Sequence, residues 1–106
     1  MTPRVEILYF RSCTNHEPTR ELVERVAGDL RLRPSIELVE VPDEEAAARL
    51  RFLGSPTVRV AGRDVEPGAE TRTDFALSCR VYRTEHGSAG RPDERWIRDA
   101  LLEAGG

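Results

Sequence analysis

The sequence predicts one α/β domain on a mixed sheet, in the order β-α-β-α-β-β, an insertion, then a closing helix. Three observations predict it. Short β-favouring runs alternate with helical periodicity through the first half of the chain. Two further β-type runs, TVRV and RDVE, flank Ala61-Gly62 as the arms of a hairpin. The chain has 106 residues, enough for one domain with one modest core.

Residues 4–10, RVEILYF, mix apolar and β-favouring side chains between Pro3 and the polar loop RSCTNH, and read as a buried strand. Thr14 and Glu17 have capping-box spacing, with Asn15 as an alternative cap, and Pro18 suits the first helical turn. Leu22, Val23, Val26 and Leu30 recur at helical spacing, so a helix is expected over about 15–31, ending before Pro34. Residues 35–41 alternate as a second strand, with Ile36 and Leu38 on one face and Glu37, Val39 and Val41 on the other. Asp43 is a plausible cap for a short alanine-rich helix, and Gly54 its C-terminal stop. The first β-α-β unit implies two parallel strands with a right-handed crossover.

The segment from Gly68 to Gly90 is an insertion. Phe75, Leu77, Cys79 and Val81 alternate as one buried strand face would, which makes Cys79 a small core residue; a helical turn followed by a short strand is the other reading. HGSAG reads as a flexible loop, with His86 solvent-exposed. Pro92 suits the first position of a last helix whose inner stripe is Trp96, Ile97, Ala100 and Leu101.

Net charge is −3, and all 16 basic residues are arginines scattered along the chain. That pattern offers no electrostatic footprint for nucleic acid or an anionic membrane, and it fits the bias of a high-GC bacterial genome. No apolar stretch reaches the ~20 residues a membrane span needs. The N-terminal residues lack a secretory pattern, so a cytoplasmic location is expected. Two cysteines do not make a disulfide framework, and in a reducing compartment they rest as thiols unless chemistry employs them.

Two motifs carry a family resemblance. One is a cysteine in the turn between the first strand and the first helix, R-S-C-T-N-H, with Cys13 and His16. The other is L-G-S-P-T-V, with Pro56 at the entry to the third strand. With the element order, they make the chain resemble the thioredoxin-like superfamily, among its small bacterial members with a single cysteine at the active-site position. The resemblance covers residues 4–66 and 92–103. It implies a thioredoxin-like fold, a cis bond before Pro56, and a substrate groove formed by Thr14, Ser55, Pro56 and Thr57, in which the Ser55 backbone pairs with an extended substrate. The family's redox pair is Cys-x-x-Cys; here His16 stands at the fourth position.

Only a thiolate attacks a disulfide. Unpaired N–H groups and the positive end of the helix dipole beside Cys13 favour that anion, as would a charged His16, while Glu17 opposes it. A lone active-site thiol must act through a mixed disulfide. The expected activity is therefore a monothiol-type thiol–disulfide oxidoreductase, with Cys13 as nucleophile, His16 as its stabiliser and Cys79 as resolving thiol. The substrate is a protein or small-thiol disulfide, with glutathione or a similar low-molecular-weight thiol as co-substrate; neither nucleic acid, membrane nor resident metal or cofactor is expected, and the oligomeric state is left open. Two other readings stand beside it: a redox-inactive binding module of the same fold, and capture of a soft mercury-type ion by Cys13 and Cys79, with Asp74 the nearest third group. Cys13, His16, Cys79 and His86 also compose a Cys2His2 zinc set, although the last two are badly spaced for it.

Overall fold

A computed structural model describes residues 3–105. The chain forms β1 (Arg4–Tyr9), α1 (His16–Asp29), β2 (Ser35–Glu40), α2 (Glu44–Arg49), β3 (Thr57–Val60) and β4 (Arg63–Asp64). A 3-10 turn (Ala69–Thr71), β5 (Tyr82–Thr84), β6 (Gly87–Ala89) and α3 (Glu94–Gly105) follow. Four strands make a mixed sheet in the order β2-β1-β3-β4, and β5-β6 form a separate hairpin. β1 pairs in parallel with β2 from Arg4↔Ser35 to Tyr9↔Glu40, and antiparallel with β3, Leu8 opposite Thr57.

Alternation along the strands builds a core on each face of the sheet. Val5, Ile7, Val58 and Val60 meet Leu22, Val23 and Val26 of α1 and Ile97 and Leu101 of α3. Leu8 and Val41 meet Ala46, Ala47 and Phe52 of the α2 region on the other side. Ile36 and Leu38 join the first core and Val39 the second, so β2 has the facing its sequence predicts. Trp96 and Ala100 flank the inner stripe of α3.

Helix boundaries follow local chemistry. α1 begins one residue later than expected, at His16; Asn15 occupies the cap position with no side-chain cap bond, and neither Thr14 nor Asn15 caps through its side chain. Asp43 does cap α2, its carboxylate accepting the Ala46 N–H at 2.8 Å. Both helices end in a paired backbone motif. Leu32 N–H reaches Ala27 O at 2.9 Å and Arg31 N–H reaches Gly28 O at 3.0 Å; Phe52 to Ala47 and Arg51 to Ala48 repeat the pattern. Arg31 and Arg51 hold the left-handed positions, φ 58° and 55°. Gly54 is therefore not the stop of α2. Its φ is +122°, and a Cβ there would come within 2.9 Å of the Arg80 Cβ, so its glycine is required by the close crossing of the insertion. Ala61 and Gly62, φ 52° and 82°, form the two-residue turn of the β3–β4 hairpin.

The insertion departs most from expectation. The expected alternation holds in part at Leu77, which packs on the second core with Ser78 exposed, and is inverted from Cys79 onward: Arg80 and Tyr82 are buried, while Cys79 is exposed and Val81 is 64% exposed. Cys79 is thus no core residue. Gly87–Ala89, expected as flexible loop, is a hairpin strand. α3 starts at Glu94 rather than at Pro92, with Asp93 accepting the Arg95 N–H at 2.8 Å.

Candidate thiol site

Cys13 lies in the turn between β1 and α1. Its N–H closes on Phe10 O at 3.0 Å, and the residue is only 3% exposed. His16, the first residue of α1, is half-buried and turned back onto the Cys13 turn. Its Nδ1 donates to the Cys13 carbonyl at 2.8 Å, and its ring stacks on Tyr9 with centroids 4.3 Å apart. Its Nε2 stands 3.8 Å from a Glu17 carboxylate oxygen. An imidazole that donates to a carbonyl fixes the tautomer of that nitrogen. His16 thus pins the backbone of the Cys13 turn.

Ser55, Pro56 and Thr57 sit at the start of β3, antiparallel to the end of β1 that feeds this turn. The Ser55–Pro56 peptide bond is cis. Both backbone groups of Ser55 are already engaged by the chain itself. Its N–H donates to Ser78 O at 2.8 Å, and its carbonyl accepts from Arg80 N–H at 2.9 Å, making a parallel bridge between Ser55 and Cys79. An extended substrate cannot pair with Ser55 while the insertion does. Among the described residues the buried Ser55 hydroxyl has no hydrogen-bond partner. Thr57, expected in the groove, is fully buried; its hydroxyl donates to Gly54 O at 2.6 Å and accepts from Arg80 at 3.0 Å. Thr57 is part of the scaffold. Pro56 is buried too, and Thr14 alone of the four groove residues is exposed.

Arg80 fastens the insertion. Its guanidinium, 1% exposed, makes a two-pronged pair with Asp64 at 2.8 and 3.2 Å, contacts Glu66, and lies 4.4 Å over the Tyr82 ring. Burial pushes this guanidinium down, but the Tyr82 oxygen, Asp64 and Glu66 outweigh that and hold it above its ordinary value. Burial likewise drives the Tyr82 hydroxyl up, against the pull of Arg80, and that hydroxyl donates to the Pro56 carbonyl. The insertion is tied down at further points. Ala76 N–H meets Phe52 O at 3.0 Å, Leu77 N–H meets a Glu44 carboxylate at 3.1 Å, and Arg51 lies over the Phe75 ring. Gly90 abuts the Asn15 side chain so closely that a Cβ would stand 2.5 Å from its Nδ2. The segment over 72–90 therefore wraps the sheet end at which the Cys13 turn begins.

Arg80, Tyr82, Asp64 and Glu66 were missed in sequence reasoning. Their available signal was the acid pair in R-D-V-E facing an arginine within an apolar run. The zinc set is not gathered: His86 lies on the exposed turn of the β5–β6 hairpin. Among the described residues the cluster of potential metal ligands is instead Glu85, His86 and Asp93, which leaves Cys13, His16 and Cys79 out. Asp74 is held by Arg72 at 2.6 and 3.0 Å, a contact that lowers its carboxyl below the usual range, and is not free as a third ligand beside the thiols.

The site and the sheet together define a mixed α/β protein with two free thiols, one buried and one exposed. No family model matches the chain, and no curated protein matches it. Among the described residues no helix is long and apolar enough to cross a membrane.

Proposed function

We propose that the chain is a thioredoxin-like domain that carries out thiol–disulfide exchange with Cys13 and Cys79 as its working pair. The bridge between Cys79 and Ser55 carries this reading. It ties the second thiol to the residue ahead of Pro56, at the sheet end where the Cys13 turn begins. The strand order β2-β1-β3-β4, with α1 and α3 on one face and α2 on the other, supports the fold part of the reading.

The chemistry needs no resident cofactor. In the oxidising direction, one protein thiolate attacks an external disulfide R–S–S–R and expels RS⁻, leaving a protein–S–S–R bond. The second protein thiolate then attacks the protein sulfur of that bond and expels the other RS⁻. Two electrons have passed from the cysteine pair to the external disulfide, and the two thiol protons end on the two RSH products. Reduction by two small thiols is the reverse. Glutathione or a similar thiol fills this role.

The test is equilibration of the wild-type chain in glutathione buffers of graded redox ratio, with mass spectrometric mapping of the products. The expected product is an internal Cys13–Cys79 disulfide that forms reversibly with the ratio. Stable glutathionylated protein with no internal bond at any ratio rejects the pair. A disulfide tolerates a Cα separation of at most about 7 Å, so the bond itself reports the proximity.

One observation favours a redox-inactive binding module instead. An open groove of about 790 Å³ lies away from the thiols, lined among others by Arg51, Arg59, Phe75 and Trp96. A ligand bound there with equal affinity by the wild-type and Cys13→Ala chains, in a protein that forms no internal disulfide, would establish that reading.

A further inference from the structure

We infer that Cys79, not Cys13, is the thiol that first meets the external disulfide, and that Cys13 resolves the mixed disulfide so formed. The inference rests on the exchange reading above and assigns the order of the two sulfurs. It reverses the roles that the helix position of Cys13 suggests.

The argument is one of access and of what controls it. Thiol reactivity follows exposure as well as thiolate fraction. Cys79 is exposed and Cys13 is 3% exposed. Cys13 is buried in a turn closed by its own N–H on Phe10 O and by His16 on its carbonyl. The insertion beside it is held by both backbone bonds to Ser55, by the buried Arg80 pair with Asp64 and Glu66, and by the Tyr82 bond to Pro56. Its far end is packed through Gly90 against Asn15, two residues from Cys13. For the Cys13 thiolate to attack first, the external disulfide would have to enter a turn that leaves the residue 3% exposed. At Cys79 it meets an exposed sulfur on a fixed backbone. The second step is intramolecular: the Cys79 backbone is bonded to Ser55, ahead of the strand that pairs with the end of β1 feeding the Cys13 turn, and Cys13 attacks the mixed disulfide there. The balance is that of the exchange already written: Cys79 thiolate takes one RS group and releases RS⁻, and Cys13 thiolate then attacks the Cys79 sulfur and releases the second RS⁻.

The probe is oxidised glutathione, added to the reduced Cys13→Ala and Cys79→Ser chains, each first shown to keep the wild-type circular dichroism spectrum. Alanine replaces Cys13 because a serine there would bury an unpartnered hydroxyl. Stopped samples are read by mass for the rate of glutathionylation. The expected result is capture by Cys13→Ala, through Cys79, at least about tenfold faster than by Cys79→Ser, through Cys13. A variant-free measurement runs beside it: limiting iodoacetamide on the reduced wild-type chain labels Cys79 ahead of Cys13. Equal or faster capture at Cys13, or alkylation there first, overturns the order. If the wild-type chain forms its internal disulfide in that case, the exchange reading stands and only the order fails. If no internal disulfide forms at all, both fall together.

Discussion

The Arg80 guanidinium is a full charge withdrawn from water, and its partners decide whether that is tolerable. A buried ion pair adds little over an apolar replacement of the whole group, but removing one member strands the other. Arg80→Met strips Asp64 of its two-pronged cation and leaves Glu66 with Arg72 alone. Such a loss costs about 3–5 kcal/mol for fully buried pairs. The side chains of Asp64 and Glu66 keep 13% and 17% exposure, which lets water relieve part of it and favours the lower end. Chemical denaturation of the variant should therefore show a loss of about 3 kcal/mol; a loss below about 1 kcal/mol, the scale of an exposed pair, contradicts the buried-network account. Tyr82 sets a second prediction, with a definite sign. Its hydroxyl is raised above the ordinary phenol value in the folded chain by burial, so the unfolded chain gives up that proton first, near pH ~10. The stability it contributes is intact below that pH and declines as pH rises above it. The melting temperature should fall as pH rises above about 10, and the fall should be shallower in Tyr82→Phe. These residues also mark where sequence reading stopped. Leu77 packs inward and Phe75 is half-buried, but carrying their alternation on by period two puts Cys79 and Val81 on the wrong face, because a shift of one residue turns the pattern inside out. The buried face is made by Arg80 and Tyr82, which become intelligible only once Asp64 and Glu66 are opposite them.

At the scale of elements, the reading succeeded where the periodicity was long and failed at its ends. The α1 stripe, the β2 facing and the α3 stripe follow from repeating apolar positions that have only one way to meet a core. The helix stops are a different matter. Glycine is the usual occupant of the left-handed residue after a helix, and here arginine holds it twice. Gly54 attracted the assignment and serves another purpose. Two substitutions separate these roles. Arg31→Gly relieves a left-handed side chain at an exposed position without removing a hydrogen bond, and should stabilise the chain by about 0.5–1 kcal/mol in urea denaturation. Gly54→Ala does the opposite. The new Cβ would have to share space with the Arg80 Cβ at 2.9 Å while the backbone holds φ +122°. Its cost should exceed about 1 kcal/mol, and amide exchange should accelerate at Arg80, whose N–H is bonded to the Ser55 carbonyl. Unchanged exchange there would mean that Gly54 does not govern the seating of the insertion.

For the whole molecule, the candidate site was half legible. Cys13 and Pro56 announce themselves by position, one ahead of a helix and one ahead of a strand. The arrival of Cys79 beside Ser55 depends on how some 20 irregular residues cross the α2 turn and the β3 entry, and no local pattern encodes such a path. That long-range closure has a measurable consequence if the two thiols form the working pair. Joining Cys13 to Cys79 closes a loop of roughly two thirds of the chain, and chain-entropy reasoning assigns such a loop about 4 kcal/mol of stabilisation. Helix α1, β2, α2 and β3 all lie inside the loop, so the gain belongs to the global unfolding of the domain, not to fraying of the insertion. The oxidised chain should therefore unfold at higher urea than the reduced chain, with α1 and β3 amides protected to the same new limit in hydrogen exchange. Strain in the bond subtracts from the gain, so an oxidised chain equal in stability to the reduced one means that the fold must distort to close it. A chain less stable when oxidised means that the reduced arrangement is the one the sequence is built for, and that the pair acts as an oxidant.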